Sequence, residues 1–212
     1  MRIARKYYPD PKRAILLVID EQERLLPVIH EWERVVERTE VLLRGARLLD
    51  IPIVVTEQYP RGLGATVEPL ASLLAEYGVI AHDKRSFSAV PLGKEPFLAF
   101  IEASCYQGNK VGLNESAKGK DDMSPQQRDQ VIIVGVETHV CVWQTTRDLL
   151  ARGFDVFVPI DAVSSRNQQN NQVGLDLMCS AGAVISCTET LLFDILGTSQ
   201  DSRFKEISAL IK

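Results

Sequence analysis

The chain of 212 residues has no CxxC pair, no cluster of histidines, no long apolar run and no excess of basic charge. Each absence removes a class of function. Cys105, Cys141, Cys179 and Cys187 lie far apart, so neither a zinc knuckle nor a redox dithiol is written here. They are expected to be free thiols in a reducing compartment. His30, His82 and His139 are too scattered to suggest a metal cluster, and no metal or other cofactor is called for. The longest apolar run, 14–19, is far short of the roughly 20 residues that span a bilayer. The stretch from Met1 to Lys12 carries charges with no apolar h-region behind it. The expectation is therefore a cytoplasmic protein with no membrane partner. Net charge is −4 and the pI is near 5.5, which leaves no basic face for nucleic acid.

What is present is the raw material of one α/β domain, 1–212. Hydrophobic residues make up 45%, enough for a core without disulfides at this length. Short apolar runs at 14–19, 51–55, 79–81, 131–134, 154–159 and 183–186 read as six strands. Between them, helical spacing appears at 31–50, 68–77, 97–103, 138–152, 170–181, 188–196 and 201–211. This alternation predicts a mainly parallel sheet of six strands with helices on both faces. Trp32 and Trp143 read as packing residues. One polar segment, 105–129, breaks the rhythm as an insertion of functional, disordered or interfacial character, with Ser124-Pro125 as a possible helix start.

In open α/β sheets, ligands bind beyond the carboxyl ends of the strands. Asp20 follows the first apolar run, Lys84 the third, and Cys141 lies a few residues after the fourth. An acid, a cation and a thiol thus emerge at one sheet edge, the parts of an activated nucleophile. Taken singly, each has an ordinary reading as a turn residue, a solvated lysine and a small buried hydrophobe. A lone Asp20 carboxylate raises a neighbouring thiol by repulsion, and Lys84 is expected to offset this: at about 4 Å and an effective dielectric of 20, one opposite charge contributes on the order of 4 kcal/mol, roughly 3 pKa units before desolvation is subtracted. The helix start near Thr138 acts in the same direction. Cys105, Cys179 and Cys187 read as structural or incidental.

Leu17-Val18-Ile19-Asp20-x-Gln22, Lys84-Arg85-Ser86-Phe87-Ser88 and Val134-Gly135-Val136-Glu137-Thr138-x-x-Cys141-Val142 together resemble the isochorismatase-like cysteine hydrolases. Asp161-Ala162 and Ser165-Arg166 fit the same pattern. The run Thr56-Glu57-Gln58-Tyr59-Pro60-Arg61-Gly62-Leu63-Gly64-x-Thr66 resembles the isochorismatase domain-containing subgroup. The resemblance implies a three-layer α/β/α fold and a homo-oligomer acting on small molecules. It implies an Asp20–Lys84–Cys141 triad and an oxyanion hole of the Glu137 and Cys141 amides, with a cis peptide between Val136 and Glu137. Gln22, Tyr59, Phe87, Thr138 and His139 are the candidate substrate-binding residues. Where nicotinamidases carry a metal-binding Asp-x-His motif, this chain reads Thr56-Glu57-Gln58-Tyr59, so no catalytic metal is expected. The implied reaction is hydrolysis of a small amide through a thioester. Three alternatives remain open: vinyl-ether hydrolysis carried by Asp20; a thiol redox or sensing role for Cys141, which needs a resolving partner; and a catalytically retired member acting through its oligomer surface, against which the intact Asp20, Lys84 and Cys141 argue.

Overall fold

The computed structural model describes residues 6–91 and 128–212. The expected helix at 97–103 and nearly all of the polar segment 105–129 lie outside the described residues.

Strand β1 (Ala14–Ile19) is buried along its whole length, as a central parallel strand must be. Its alternation sorts the two faces. Ala14, Leu16 and Val18 join one apolar cluster with residues of α1 (Trp32–Leu48), α3 (Leu70–Glu76), α6 (Thr188–Leu196) and α7 (Phe204–Ile211). Ile15, Leu17 and Ile19 join the other, with α4 (Trp143–Ala151) and α5 (Gln168–Ala181). The result is three layers. Each fully buried Leu or Ile stabilises this arrangement by about 1.5–3 kcal/mol. Trp32 and Trp143 pack at the margins of the two clusters. The short helix α2 (Pro60–Leu63) lies outside them, in the loop after β2.

The remaining strands are β2 (Ile53–Gln58), β3 (His82–Lys84), β4 (Gln130–Val136), β5 (Asp155–Pro159), β6 (Val163–Ser164) and β7 (Val184–Ser186). Their order is β3-β2-β1-β4-β5-β7, with β6 also paired to β4, and every pairing is parallel. The chain leaves β1 toward β2 and β3, then returns to build β4, β5 and β7 on the other side. The switch point therefore falls between β1 and β4, where ligand crevices form. Gly135 lets the ends of these two strands meet: at φ 124°, a Cβ there would stand 2.1 Å from the Ile19 carbonyl oxygen.

Three boundaries differ from expectation. The third strand is His82–Lys84, not 79–81, because Thr56, Glu57 and Gln58 pair with His82, Asp83 and Lys84. Lys84 is thus the last strand residue. The two-residue β6 is a seventh strand too short to leave a periodic signal. The helix bearing Cys141 opens with a π-helical turn, Thr138–Val142, before α4 begins. Such turns recur at functional sites. Gly174 of α5 braces this one: a Cβ there would stand 2.8 Å from the backbone of Thr138 and His139.

Candidate active site

The chain leaves β1 through Asp20, held at φ 58° with its amide donating to the Thr56 carbonyl at 3.1 Å. The side chain has no solvent exposure. Its Oδ1 accepts from Thr56 Oγ1 at 3.0 Å, and its Oδ2 lies 2.6 Å from Lys84 Nζ. Lys84 arrives from β3, directly beside Gln58 in register. Its ammonium also donates to Gln58 Oε1 at 2.7 Å, to the Phe87 carbonyl at 3.1 Å and to the Ser86 carbonyl at 3.3 Å. An ammonium has three protons. One carboxylate and three neutral oxygens surround them.

Cys141 projects from the π-helical turn and is 5% exposed. Its thiol and the Asp20 carboxylate perturb each other through a hydrogen bond and through charge. Burial raises the Asp20 carboxyl above its ordinary value, while Lys84 and the Thr56 hydroxyl pull it back. Burial and the Asp20 charge push the Cys141 thiol up to about 12, with Lys84 opposing and Glu137 adding repulsion. Burial and the Asp20 charge thus outweigh the pull toward thiolate expected from Lys84. The lysine is already neutralised by Asp20, so desolvation and like charge win at sulfur. The thiol keeps its proton until a base removes it.

The expected cis bond between Val136 and Glu137 is absent; among the described residues the cis peptide is Glu68–Pro69. The turn is made instead by Glu137 in the left-handed region, φ 60° and ψ 58°. The Glu137 carbonyl accepts from Val140 at 2.8 Å and from Val142 at 3.4 Å, which opens the π-helical turn. Its carboxylate is buried: Oε1 pairs with Arg166 Nε at 2.8 Å, and Oε2 lies 3.4 Å from His139 Nδ1. Ser165 Oγ fixes the same imidazole nitrogen at 3.0 Å.

The other candidate residues divide. Gln22 does not line a pocket. It is fully buried and its amide is spent joining β1 to β2, with Nε2 on the Gln58 and Gly64 carbonyls and Oε1 accepting from the Gln58 amide at 2.7 Å. Tyr59 and Phe87 are exposed on the Lys84 side, the Tyr59 ring stacked 4.3 Å from the Arg85 guanidinium. Thr138 is buried with Oγ1 unpartnered, and His139 is half-buried. Sequence reasoning passed over Thr56 and Gln58, which hold Asp20 and Lys84. Their signal was two polar side chains at the end of an otherwise apolar strand. Glu57, between them, accepts from the Thr66 amide at 2.7 Å and its hydroxyl at 2.8 Å. Asp161 caps α6, its Oδ1 accepting from the Thr188 amide at 2.9 Å. Among the described residues, no group of three or more His, Cys, Asp or Glu side chains is placed to hold a metal, and no helix is long and apolar enough to cross a membrane.

The family model for the isochorismatase domain matches residues 112–190. Isochorismatase domain-containing protein 2 of Bos taurus is 35% identical over 202 residues, which is 95% of this chain and 84% of that protein. Isochorismatase domain-containing protein 1 of Salmo salar is also 35% identical over 95% of this chain, but the chain spans only 62% of that protein's length. Among solved structures, MAR1 ribonuclease from Caenorhabditis elegans superposes with a TM-score of 0.78 at 34% identity, covering 96% of this chain and 92% of that one.

Proposed function

The chain belongs to the isochorismatase family, and from that premise we propose that it is a cysteine hydrolase that cleaves a small amide, or a related C–N bond, through a thioester at Cys141. One observation supports this reading: the ends of β1 and β3 hold Asp20 and Lys84 2.6 Å apart, and the Cys141 thiol, on the turn after β4, feels the Asp20 carboxylate through charge and a hydrogen bond. Asp20 accepts the thiol proton as sulfur attacks the substrate carbonyl. With the thiol raised by burial, the proton must pass to Asp20 for sulfur to attack. Lys84 keeps Asp20 anionic and orients it. The Cys141 amide stabilises the oxyanion, such a donor contributing roughly 3–4 kcal/mol in comparable sites; with the Val136–Glu137 bond trans, the Glu137 amide is not assigned that role. Asp20 returns the proton to the leaving amine, and water, deprotonated by Asp20, then releases the acid and the free thiol. Cys141→Ala is expected to abolish turnover in a screen of small amides without loss of fold, and wild type to accumulate an acyl adduct of the substrate's mass on the Cys141 peptide. A Cys141→Ala protein with full activity sinks the covalent route.

A second reading has one observation in its favour. Burial raises the Asp20 carboxyl, as a general acid protonating a vinyl ether requires. Asp20→Asn abolishes activity in both readings; only the covalent one also needs Cys141. A peroxide-sensing thiol is disfavoured by the raised Cys141, since such cysteines are activated as thiolates. The name of the C. elegans neighbour invites a test on RNA; the net charge of −4 argues for a small-molecule substrate instead. We place the chain in the cytoplasm as a homo-oligomer. Exposed Val173 and Leu177, one turn apart on α5, support assembly, which light scattering checks.

A further inference from the structure

The loop 85–91 that follows Lys84 belongs to no helix or strand, yet it helps to place the lysine. The Ser86 and Phe87 carbonyls accept from the Lys84 ammonium at 3.3 and 3.1 Å. Local bonds shape the loop: Ser86 Oγ donates to the Ser88 carbonyl at 2.7 Å, and Ser88 Oγ accepts from the Val90 amide at 3.1 Å. Its far end packs into the α4 layer, where Val90 is buried. A segment without a backbone ladder keeps one shape only where contacts from outside hold it. The grip of the loop on Lys84 therefore depends on its anchors.

Helix α4 supplies them. Arg152, just past its end, donates to the Val90 and Pro91 carbonyls. Thr145 is fully buried and works in two directions. Its Oγ1 accepts from the Ala89 amide at 3.0 Å and donates to the Cys141 carbonyl at 2.7 Å. A hydroxyl has one proton to give and lone pairs to receive. Here both capacities are used, so one oxygen joins the backbone of Cys141 to the backbone of the Lys84 loop. The Cys141 carbonyl lies in the π-helical turn, where a bond from a hydroxyl four residues on helps to set the bend. Thr146 is buried to the same degree, but its hydroxyl donates to Met178 Sδ of α5 at 3.2 Å. Two adjacent threonines thus face different elements, and of the two it is Thr145 that bonds to the loop.

We propose that Thr145 is a positioning residue: its hydroxyl ties the Cys141 turn to the Lys84 loop and so fixes the thiol against the Asp20–Lys84 pair. This rests on the reading of Cys141 as the reacting nucleophile and adds the part that keeps it within reach of its base. Lys84 ends one strand and Asp20 follows another, whereas the thiol stands on a turn beyond β4. Thr145 links that turn directly to the loop of the lysine. A misplacement of about 1 Å between reacting groups can slow a reaction about a hundredfold, so a single tie at this point has a large kinetic effect.

The test is alkylation of the full chain by iodoacetamide, followed peptide by peptide, with exposed Cys179 as the internal reference. Thr145→Val keeps the shape of the side chain and removes the hydroxyl. It is expected to slow labelling of Cys141 relative to Cys179 by about tenfold. Thr145→Ser keeps the hydroxyl and is expected to stay within about twofold of wild type. Thr146→Val, the matched loss of a buried hydroxyl on the same helix, is expected to do the same. Hydrogen exchange at the Ala89 amide needs no variant to fold: wild type is expected to protect it, and Thr145→Val to release it. Rates at Cys141 that hold or rise in Thr145→Val overturn the proposal. So do rates that fall equally in Thr145→Ser or in Thr146→Val, and so does a wild-type Ala89 amide that exchanges as in an unfolded chain. Rates at Cys141 that ignore Asp20→Asn defeat the nucleophile reading separately, whatever Thr145→Val does, and a Cys141 that stays unlabelled in wild type defeats both.

Discussion

Asp20 and Glu21 are neighbours in sequence, both carboxylic acids and both buried, yet they sit in two different environments. Asp20 opens onto the switch point and meets Lys84, Thr56 and Cys141. Glu21 turns into the opposite layer, where the Thr39 hydroxyl donates to its Oε1 at 2.6 Å and Oε2 has no partner. Burial pushes Glu21 up to about 8, opposed only by that hydroxyl. Burial alone therefore makes a neutral acid, a polar group stored in the core. Burial with a fixed cation and a thiol makes a reactive one. What separates a candidate catalytic carboxylate from an inert one here is its partners, not its depth.

The comparison breaks most severely at Lys84. Lys84→Met removes the cation while leaving Asp20 in a dry pocket. Breaking one half of a buried pair costs about 3–5 kcal/mol. We expect a loss of that size in urea unfolding, with the slope unchanged, and partial recovery in the Asp20→Asn, Lys84→Met double variant. Glu21→Gln, which removes an ionisable group that has no cation, should not destabilise the fold near pH 6, since it also removes the cost of protonating Glu21 there, about 2 kcal/mol. If Lys84→Met proves as mild as Glu21→Gln, the two acids are equivalent and the distinction fails.

Proton linkage gives the next largest effect. Glu21 moves from an ordinary 4.5 to about 8 on folding, so between those values the folded chain holds a proton that the unfolded chain has lost. Stability therefore falls as pH rises through this window, by up to about 1.4 kcal/mol per unit, and levels off above it. Between about pH 6 and 7.5, a loss on the order of 2 kcal/mol is expected in denaturant titrations. Glu21→Gln should flatten the slope. A wild-type profile that is flat or rising there shows that Glu21 is ionised and has found a partner.

The sequence disclosed these two acids unequally. Asp20 was legible because it follows an unbroken apolar strand, the place where an α/β sheet presents its chemistry. Lys84 and Cys141 were legible for the same reason, although the strand before Lys84 was misplaced by three residues. The run 79–81 is apolar but lies outside the sheet, while polar His82–Lys84 supplies the pairing. Backbone hydrogen bonding decides a short edge strand, and composition does not report it. The balance of charge at Cys141 was legible only in part, since a charge count takes Lys84 as available when three-dimensional contacts have already committed it. Gln22 looked like a pocket residue and is a staple between β1 and β2, a role visible only once Gln58 and Gly64 are beside it. Glu21 left no signal, because the face on which a residue just past a strand turns is set by backbone geometry.

The finest version of the comparison removes one hydroxyl from each acid. Thr56 donates to Asp20 at 3.0 Å and Thr39 to Glu21 at 2.6 Å. Hydrogen bonds to a charged group contribute about 1.5–3 kcal/mol, those between neutral groups about 0.5–1.5. If Asp20 is the anion that the covalent route needs and Glu21 is a neutral acid, Thr56→Val at pH 7 should cost about 1 kcal/mol more than Thr39→Val. The shorter bond is then the weaker one, because charge outweighs distance. Thr56→Val should also slow iodoacetamide labelling of Cys141, since Asp20 loses part of what holds it in place as base. Equal costs for the two variants, with labelling of Cys141 unchanged, identify Asp20 as protonated at rest and move the acid-catalysed reaction ahead of the thioester.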